Sequence, residues 1–337
     1  MKIQLQSLRV INCGPLRDVC IHFATDGDSP VTVLAGANGS GKTTVLELII
    51  GLAEILLPLS ELPPVRLTLL RAEYAQLDFL VDGEKFSVFY GKKPVNTDLP
   101  KNYFGRSGVV GHFVEDTSGD LVSEIKAQIN QQEKSATVEP FRASLVNKTG
   151  FVQPGLNVPS ILFFPHTRSL LSVTGEQIFR EDVAYQWVYF CKIISQFQGS
   201  LDSYLIWLEY VEPENYTNAI RYLNGLDIEG KTFSISRRDL KAVVTTRTGG
   251  THFLEQLSSG EQNILIMLLE LRRRLLPHSI VLIDEIENSL HPAFQHRIVN
   301  GLKQLQEETP FQLIVTSHSL TILEAFGTQS ARILTQF

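Results

Sequence analysis

Cysteine is scarce. There are three, Cys13, Cys20 and Cys191, in 337 residues, and none sits in a CxxC pair. They cannot all pair, so a disulfide framework is excluded, and they read as reduced, mostly buried thiols of a cytosolic protein. Positive charge is not in excess either: 30 Lys and Arg against 36 Asp and Glu leave a net charge of −6. Non-specific nucleic-acid binding rests on phosphate neutralisation by basic side chains, so no global field supports it. A local basic patch could include Arg272-Arg273-Arg274, although the triplet reads first as a solvated helix face. Long uninterrupted apolar runs are missing too. The most apolar stretch, TVLELIIGLAEILLPLSEL (44–62), is broken by Glu47, Glu54 and Pro58. A membrane span needs about 20 apolar residues without such charges, so this stretch reads as a buried core helix. Residues 1–12 have no apolar core or small-residue cleavage site, and no signal peptide is expected. No heptad repeat is sustained, which excludes a long coiled-coil arm. There is no internal repeat. The eight His are scattered, with no H-x-x-x-H beside Cys, so no zinc or metallonuclease cluster is expected.

What is present is a large apolar fraction, 43%. It supports a real core, and the length suggests two domains or one with an insertion. IQLQSLRVINCG alternates and ends in a turn, PLRDVCIHF follows as a second strand, and VTVLAG as a third, fully apolar one. A helix is expected from near Lys42. Residues 66–90 read as two or three more strands around an Asp82-Gly83 turn. Residues 115–160 are polar, with a short helical stretch at 121–132, and read as an exposed insertion or a mobile segment. ILFFP (161–165) is a short apolar strand, and 178–224 reads as two helices rich in aromatics. Beyond 260 the pattern is regular: a helix over 261–276, a buried strand over 279–285, an amphipathic helix over 292–308, and a buried strand over 311–319. Near-continuous apolar strands alternating with helices predict a parallel sheet covered on both faces. The expected divisions are 1–114, 115–239 and 240–337: an N-terminal lobe, an insertion with a helical lobe, and a C-terminal lobe.

Three segments carry chemistry. Gly36-Ala37-Asn38-Gly39-Ser40-Gly41-Lys42-Thr43-Thr44 fits G-x-x-x-x-G-K-[ST], after a strand and before a helix. The glycines permit a loop whose N–H groups point inward and, with the helix N-terminus, hold anionic phosphates. Lys42 adds a point charge at the outer phosphates, and the Thr43 hydroxyl can ligate Mg²⁺. Ile280-Val281-Leu282-Ile283-Asp284-Glu285 delivers two carboxylates at a strand's C-terminal end, where ligands bind in open α/β sheets. Neighbours on a strand point oppositely, so the two have separate tasks. Asp284 would hold Mg²⁺ through water, and Glu285 would orient or deprotonate the attacking water. Ile314-Val315-Thr316-Ser317-His318-Ser319 ends a strand with a polar cluster from which His318 could contact the γ-phosphate and the attacking water.

Between the first and second of these lies Leu257-Ser258-Ser259-Gly260-Glu261-Gln262 at the start of a helix. That order of segments resembles the ABC-type ATPases, in which such a signature faces the γ-phosphate bound by a second copy. The resemblance implies that Ser258, Gly260, Glu261 and the dipole of the following helix contact nucleotide held by a partner, head to tail. The implied fold is α/β: a P-loop NTPase head with a mostly parallel core sheet, an N-terminal antiparallel β lobe and a helical lobe or insertion. The N-terminal strands with GANGSGKTT look like the RecF/SMC-like branch. DEIENSLHP (284–292) resembles the ATPase part of OLD-family proteins and of anti-phage systems such as Septu and some retrons. The likeness covers residues 1–90 and 240–337.

Departures qualify that resemblance. His291 stands where transporter ATPases carry aspartate. The usual Q-loop glutamine is not evident; Gln76 is one option and Arg168 another, the latter in FFPHTRSL (163–170). OLD-family proteins continue into a Toprim nuclease domain, which is not expected in a chain ending at Phe337. The resemblance implies ATP and Mg²⁺ as ligands and a cytoplasmic homodimer or higher oligomer sharing its ATP sites. A separate nuclease or toxin would be the effector, with nucleic acid reached through the complex and no membrane contact. A RecF-like repair ATPase binding DNA directly is the alternative. A transporter subunit fits poorly with the long segment between Thr44 and Leu257.

Overall fold

The computed structural model describes residues 1–57, 63–92, 108–113, 144–145, 159–167, 186–191 and 201–334. The chain opens with β1 (Ile3–Cys13) and β2 (Leu16–His22), then β3 (Val31–Ala35), helix α1 (Lys42–Ile55), a one-turn helix α2 (Leu67–Leu70), and strands β4 (Tyr74–Val81), β5 (Glu84–Gly91) and β6 (Gly108–Phe113). All of these strands except β3 form a five-stranded sheet in the order β2-β1-β4-β5-β6, antiparallel apart from the β5–β6 pair. The β4–β5 hairpin turns on Asp82 and Gly83, both at positive φ (48° and 89°), the geometry a two-residue type I′ turn requires. Of the two or three strands expected over 66–90, two form, β4 and β5, and the run just after Arg66 is the helix α2. A short apolar run such as LTLL has no period to choose between helix and strand. Here Leu69 packs on α1, and Arg66 forks onto Glu54 at 2.6 and 2.7 Å.

The middle of the chain supplies β7 (Ile161–Phe164), β8 (Val188–Phe190), helices α3 (Leu201–Val211) and α4 (Pro213–Gly225), and strands β9 (Thr232–Ser236), β10 (Lys241–Thr245) and β11 (Thr251–Phe253), which form a small antiparallel sheet. Of the stretch 178–224, expected to form two aromatic helices, the described residues carry helices over Leu201–Val211 and Pro213–Gly225. Ahead of them Val188–Phe190 is a strand at the sheet edge, where Phe190 meets Phe163 edge-on at 5.5 Å. The helical stretch expected at 121–132 and Arg168 lie outside the described residues.

The last third adds α5 (Ser259–Arg274), β12 (Ser279–Ile283), α6 (Pro292–Glu308), β13 (Phe311–Ser317), α7 (Leu320–Phe326) and β14 (Ala331–Ile333). The second large sheet runs β14-β3-β13-β12-β7-β8, and every neighbouring pair is parallel. Its central strands are buried from end to end, and successive side chains serve opposite faces. Ile280 and Leu282 join the core around α1, while Val281 and Ile283 join the core around α5 and α6. Helix α1 is therefore apolar almost all round, because it is clasped between the parallel sheet and the antiparallel lobe. A buried glutamine ties those two layers. Gln312 Oε1 accepts from Leu5 N–H at 2.7 Å and its Nε2 donates to Leu5 O and Ala24 O, both at 2.9 Å, beside the bulge in β1.

The arginine triplet is not a solvated face. Arg273 and Arg274 are buried, pair with Glu270 at 3.3 and 2.8 Å, and lie over the rings of Tyr204 and Tyr189. Arg272 bonds Glu308 at 2.7 Å over Tyr222. These guanidinium groups are spent on packing α5. Cys13 and Cys191 are buried, Cys20 is exposed, and none of the three is in a disulfide. Among the described residues no helix is long and apolar enough to cross a membrane.

Candidate functional site

The glycine loop links the C-terminal end of β3 to α1. Gly39 and Gly41 sit at φ 80° and 95°, in the left-handed region that glycine tolerates. A Cβ on Gly36 would fall 2.6 Å from Ser40 Oγ and 2.7 Å from Leu334 O, so the backbone there is too close-packed for any side chain. Helix α1 starts at Lys42 with no capping side chain and no acidic residue in its first turn. Its leading N–H groups and the positive end of its dipole are therefore uncompensated, which suits an anion. The Lys42 ammonium folds back across the loop and donates to Gly36 O at 2.8 Å and Ala37 O at 2.9 Å. Ser40 Oγ is buried with no hydrogen-bond partner among the described residues. Ala37, Asn38 and Gly39 form the exposed rim, and Thr44 is half-buried behind it.

A single carboxylate gathers the ends of three strands onto this loop. Asp284, 1% exposed, follows β12. It accepts from Thr43 Oγ1 at 3.1 and 3.0 Å and from Thr316 Oγ1, near the end of β13, at 2.7 Å. Its own N–H donates to Phe164 O of β7 at 2.8 Å, and His166 Nδ1, two residues beyond β7, lies 3.3 Å from Oδ2. The residues fit a phosphate chain with its Mg²⁺: a glycine cradle, an orphaned hydroxyl, a lysine, and a threonine and aspartate offering hard oxygens side by side. Among the described residues no cluster of three or more His, Cys, Asp and Glu could hold a metal ion.

Glu285 differs from expectation in one respect. The strand ends at Ile283, so pleat alternation does not separate the two carboxylates. Glu285 instead adopts φ 44°, and its N–H donates to Thr316 Oγ1 at 2.7 Å. A left-handed turn parts the pair. His318, just past β13, is half exposed and is held by Glu287, whose Oε1 lies 2.6 Å from His318 N and 2.7 Å from its Nδ1.

Ser258 caps α5, accepting from Glu261 N–H, while the Glu261 carboxylate takes the N–H and hydroxyl of Ser258 at 3.0 and 2.8 Å. Glu261 is buried and its other oxygen meets Lys231. Burial alone would push its carboxyl up. The bonds from Lys231 and Ser258 outweigh it and hold the group below the ordinary carboxylate value. Gly260 abuts the loop after β12: a Cβ there would sit 2.7 Å from Ser289 O. Asn263 donates to Asn288 O at 3.1 Å, and Asn288 in turn to His166 O at 2.7 Å. The structure thus joins Lys42, Thr43, Asp284, Thr316 and His166 by direct contact or loop continuity. Ser258, Gly260 and Glu261 form a second cluster connected through 288–290.

Gln76 is not brought to this cluster. Its amide is engaged inside the antiparallel sheet, accepting from Tyr74 Oη and donating to Asp78, both at 2.7 Å. Sequence reasoning missed Thr316, His166 and Glu287 as site residues. The polar ends of strands β7 and β13 carried the signal for the first two. A third acid, two places after Glu285, carried it for Glu287.

A glycine loop at the end of β3, with the acidic end of β12 two strands away across β13, defines a P-loop NTPase fold of mixed α/β type. Residues 7–51 match a family model described as "AAA domain", and residues 208–324 match one described as "AAA domain, putative AbiEii toxin, Type IV TA system". Over 90 residues the chain is 37% identical to a retron Ec83 probable ATPase of Escherichia coli, a match that takes in 23% of this chain and 16% of that protein. Among solved structures it is similar to an SMC head domain from Thermotoga maritima, at 15% identity and TM-score 0.44, over 96% of this chain and 92% of that one. It is also similar to an Smc head domain with an extended coiled coil, bound to the C-terminal domain of ScpA, from Pyrococcus furiosus, at 11% identity and TM-score 0.42, with the same coverage.

Proposed function

We propose that this chain is an ATPase whose nucleotide site is completed by a second copy. The observation that carries the reading is the meeting of Thr43, from the glycine loop, with Asp284, from the acidic strand end, beside Lys42. Gly36, Asn38, Gly39, Ser40 and Gly41 would present backbone N–H groups to the phosphates, with Lys42 at the outer ones and Thr44 in the first helical turn. Thr43 and Asp284 would hold Mg²⁺, which when bound neutralises charge on the outer phosphate oxygens. Glu285 is the base that orients and deprotonates water, and His318 reads the terminal phosphate. Ser258, Gly260 and Glu261 at the N-terminus of α5 would face nucleotide held by the partner. ATP then acts as a bridge between copies, and hydrolysis releases them.

The output of such a switch is a separate effector, a nuclease or toxin, in anti-phage defence. Support for that context comes from the likeness to a retron ATPase and from a matching model whose description names a toxin–antitoxin system. We place the protein in the cytoplasm on the same reading. Direct DNA binding of the repair type loses its basic candidate, because the Arg272–Arg274 groups are consumed within the fold.

The test is equilibrium titration with ATP and Mg²⁺ while light scattering follows mass. Saturable binding that raises the mass, and is lost in Lys42→Ala, supports the reading. Undiminished affinity in that variant overturns the phosphate-loop assignment.

A further inference from the structure

Glu287 has no part in the roles above, yet it is 5% exposed and carries a carboxylate two places beyond Glu285. Its Oε1 accepts from the backbone N–H of His318 at 2.6 Å and lies 2.7 Å from His318 Nδ1. Its Oε2 is buried with no hydrogen-bond partner among the described residues. A carboxylate kept only to staple two loops would be expected to satisfy both oxygens, since each buried one left unpaired weakens the fold. Here one oxygen meets two nitrogens of one residue, and the other has no partner among the described residues. The arrangement is poor as a staple and good as a clamp on one imidazole.

We propose that Glu287 is a positioning residue for His318, fixing the ring in its Nδ1–H tautomer with Nε2 presented to the ligand side. A carboxylate only accepts, so the ring nitrogen facing it must carry the hydrogen. Nε2 then lies on the far edge of a ring whose side chain is 54% exposed. The backbone bond fixes where the ring starts and the Nδ1 bond fixes how it is turned. Two points of attachment leave the imidazole little rotational freedom. The same logic holds catalytic and metal-ligating histidines in one tautomer through a carboxylate on the other nitrogen. Most unconstrained neutral histidine carries its proton on Nε2, so the ring would be held against its own preference. The inference rests on the reading of His318 as the phosphate-facing residue, although the tautomer itself does not depend on it.

Two measurements on the full chain test this. In protein labelled with nitrogen-15 at histidine, the His318 ring signals, assigned through His318→Gln, should report Nδ1–H in the wild type. They should move toward Nε2–H in Glu287→Met, which keeps the volume and removes the acceptor. An Nε2–H ring in the wild type overturns the proposal without recourse to any variant. In steady-state kinetics, Glu287→Met should lower kcat by about tenfold to a hundredfold with nucleotide KM nearly unchanged. Adding Glu287→Met to His318→Ala should cost nothing more, because the clamp has no ring to hold; losses that multiply overturn the proposal. If His318→Ala alone turns over at the wild-type rate, the phosphate-facing role fails, and the ring signals still decide the role of Glu287.

Discussion

The Thr43 hydroxyl and the Asp284 carboxylate, 241 positions apart in the chain, meet at 3.0 and 3.1 Å, and Asp284 also takes Thr316 and stands beside His166. One buried carboxylate therefore locks the start of α1 to the ends of β7, β12 and β13. Replacing it with Ala leaves two hydroxyls without their acceptor. Asp284→Ala is expected to lose about 1–3 kcal/mol of stability as well as Mg²⁺-dependent nucleotide affinity, read by denaturant melts and by titration with and without Mg²⁺. Thr43→Ala should weaken binding only when Mg²⁺ is present. A variant that binds Mg²⁺-free ATP as poorly as Mg²⁺-ATP would count against the metal role.

Glu285→Gln is expected to bind nucleotide and stop there. The amide keeps the size of the side chain, and the backbone N–H bond to Thr316 is untouched. What is lost is the acceptor for a proton from water. Turnover should fall at least a hundredfold while an ATP-dependent dimer persists on size-exclusion chromatography. Hydrolysis at the wild-type rate would remove Glu285 from the role of base.

Gly41 tests whether the loop geometry is required. It sits at φ 95°, and a Cβ there would fall 2.9 Å from the Leu16 side chain. Gly41→Ala therefore forces both backbone strain and a clash against the lobe. A stability loss of about 1–3 kcal/mol is expected, together with loss of nucleotide binding. A melting curve superimposable on the wild type would show that the loop relaxes freely.

Much of this geometry is legible in the sequence, and the reasons for the remainder are physical. The glycine loop, α1, and the strands and helices from Ser259 to Ser317 announce themselves through long runs of clear period and firm breakers. LTLL and VYF are too short to have a period, and tertiary contacts made one a helix and the other an edge strand. The sheet order is invisible locally: β7 pairs with β12 across more than a hundred residues. His166 reaches Asp284 only because of that pairing. Glu287 and His318, 31 positions apart, have a spacing that hints at nothing until β12 and β13 lie side by side.

The cap on α5 should make stability depend on acid. Glu261 is held below the ordinary carboxylate value because its bonds to Lys231 and Ser258 outweigh its burial. The native state thus favours the ionised form more than the unfolded chain does. That advantage is complete above the unfolded value and disappears as pH falls through the depressed native one. In thermal melts across the acid range, the gap between wild type and Glu261→Gln should be widest near neutrality and should narrow below the ordinary glutamate range. A gap independent of pH would mean that the carboxylate contributes shape and not charge.

Whether the cluster at Ser258 serves its own chain or its neighbour can be decided by mixing two inactive variants. Lys42→Ala spoils the glycine cradle and leaves the α5 cap intact; Ser258→Arg does the reverse. In a head-to-tail pair of one of each, one site combines both faults and the other combines both intact halves. Random exchange between the two variants should therefore restore about one quarter of the wild-type rate, although each alone is silent. If cradle and cap of one chain served the same nucleotide, every chain in the mixture would carry a fault and no proportion would recover activity. The two arrangements thus differ in whether any ATPase appears at all, measured after subunit exchange is complete.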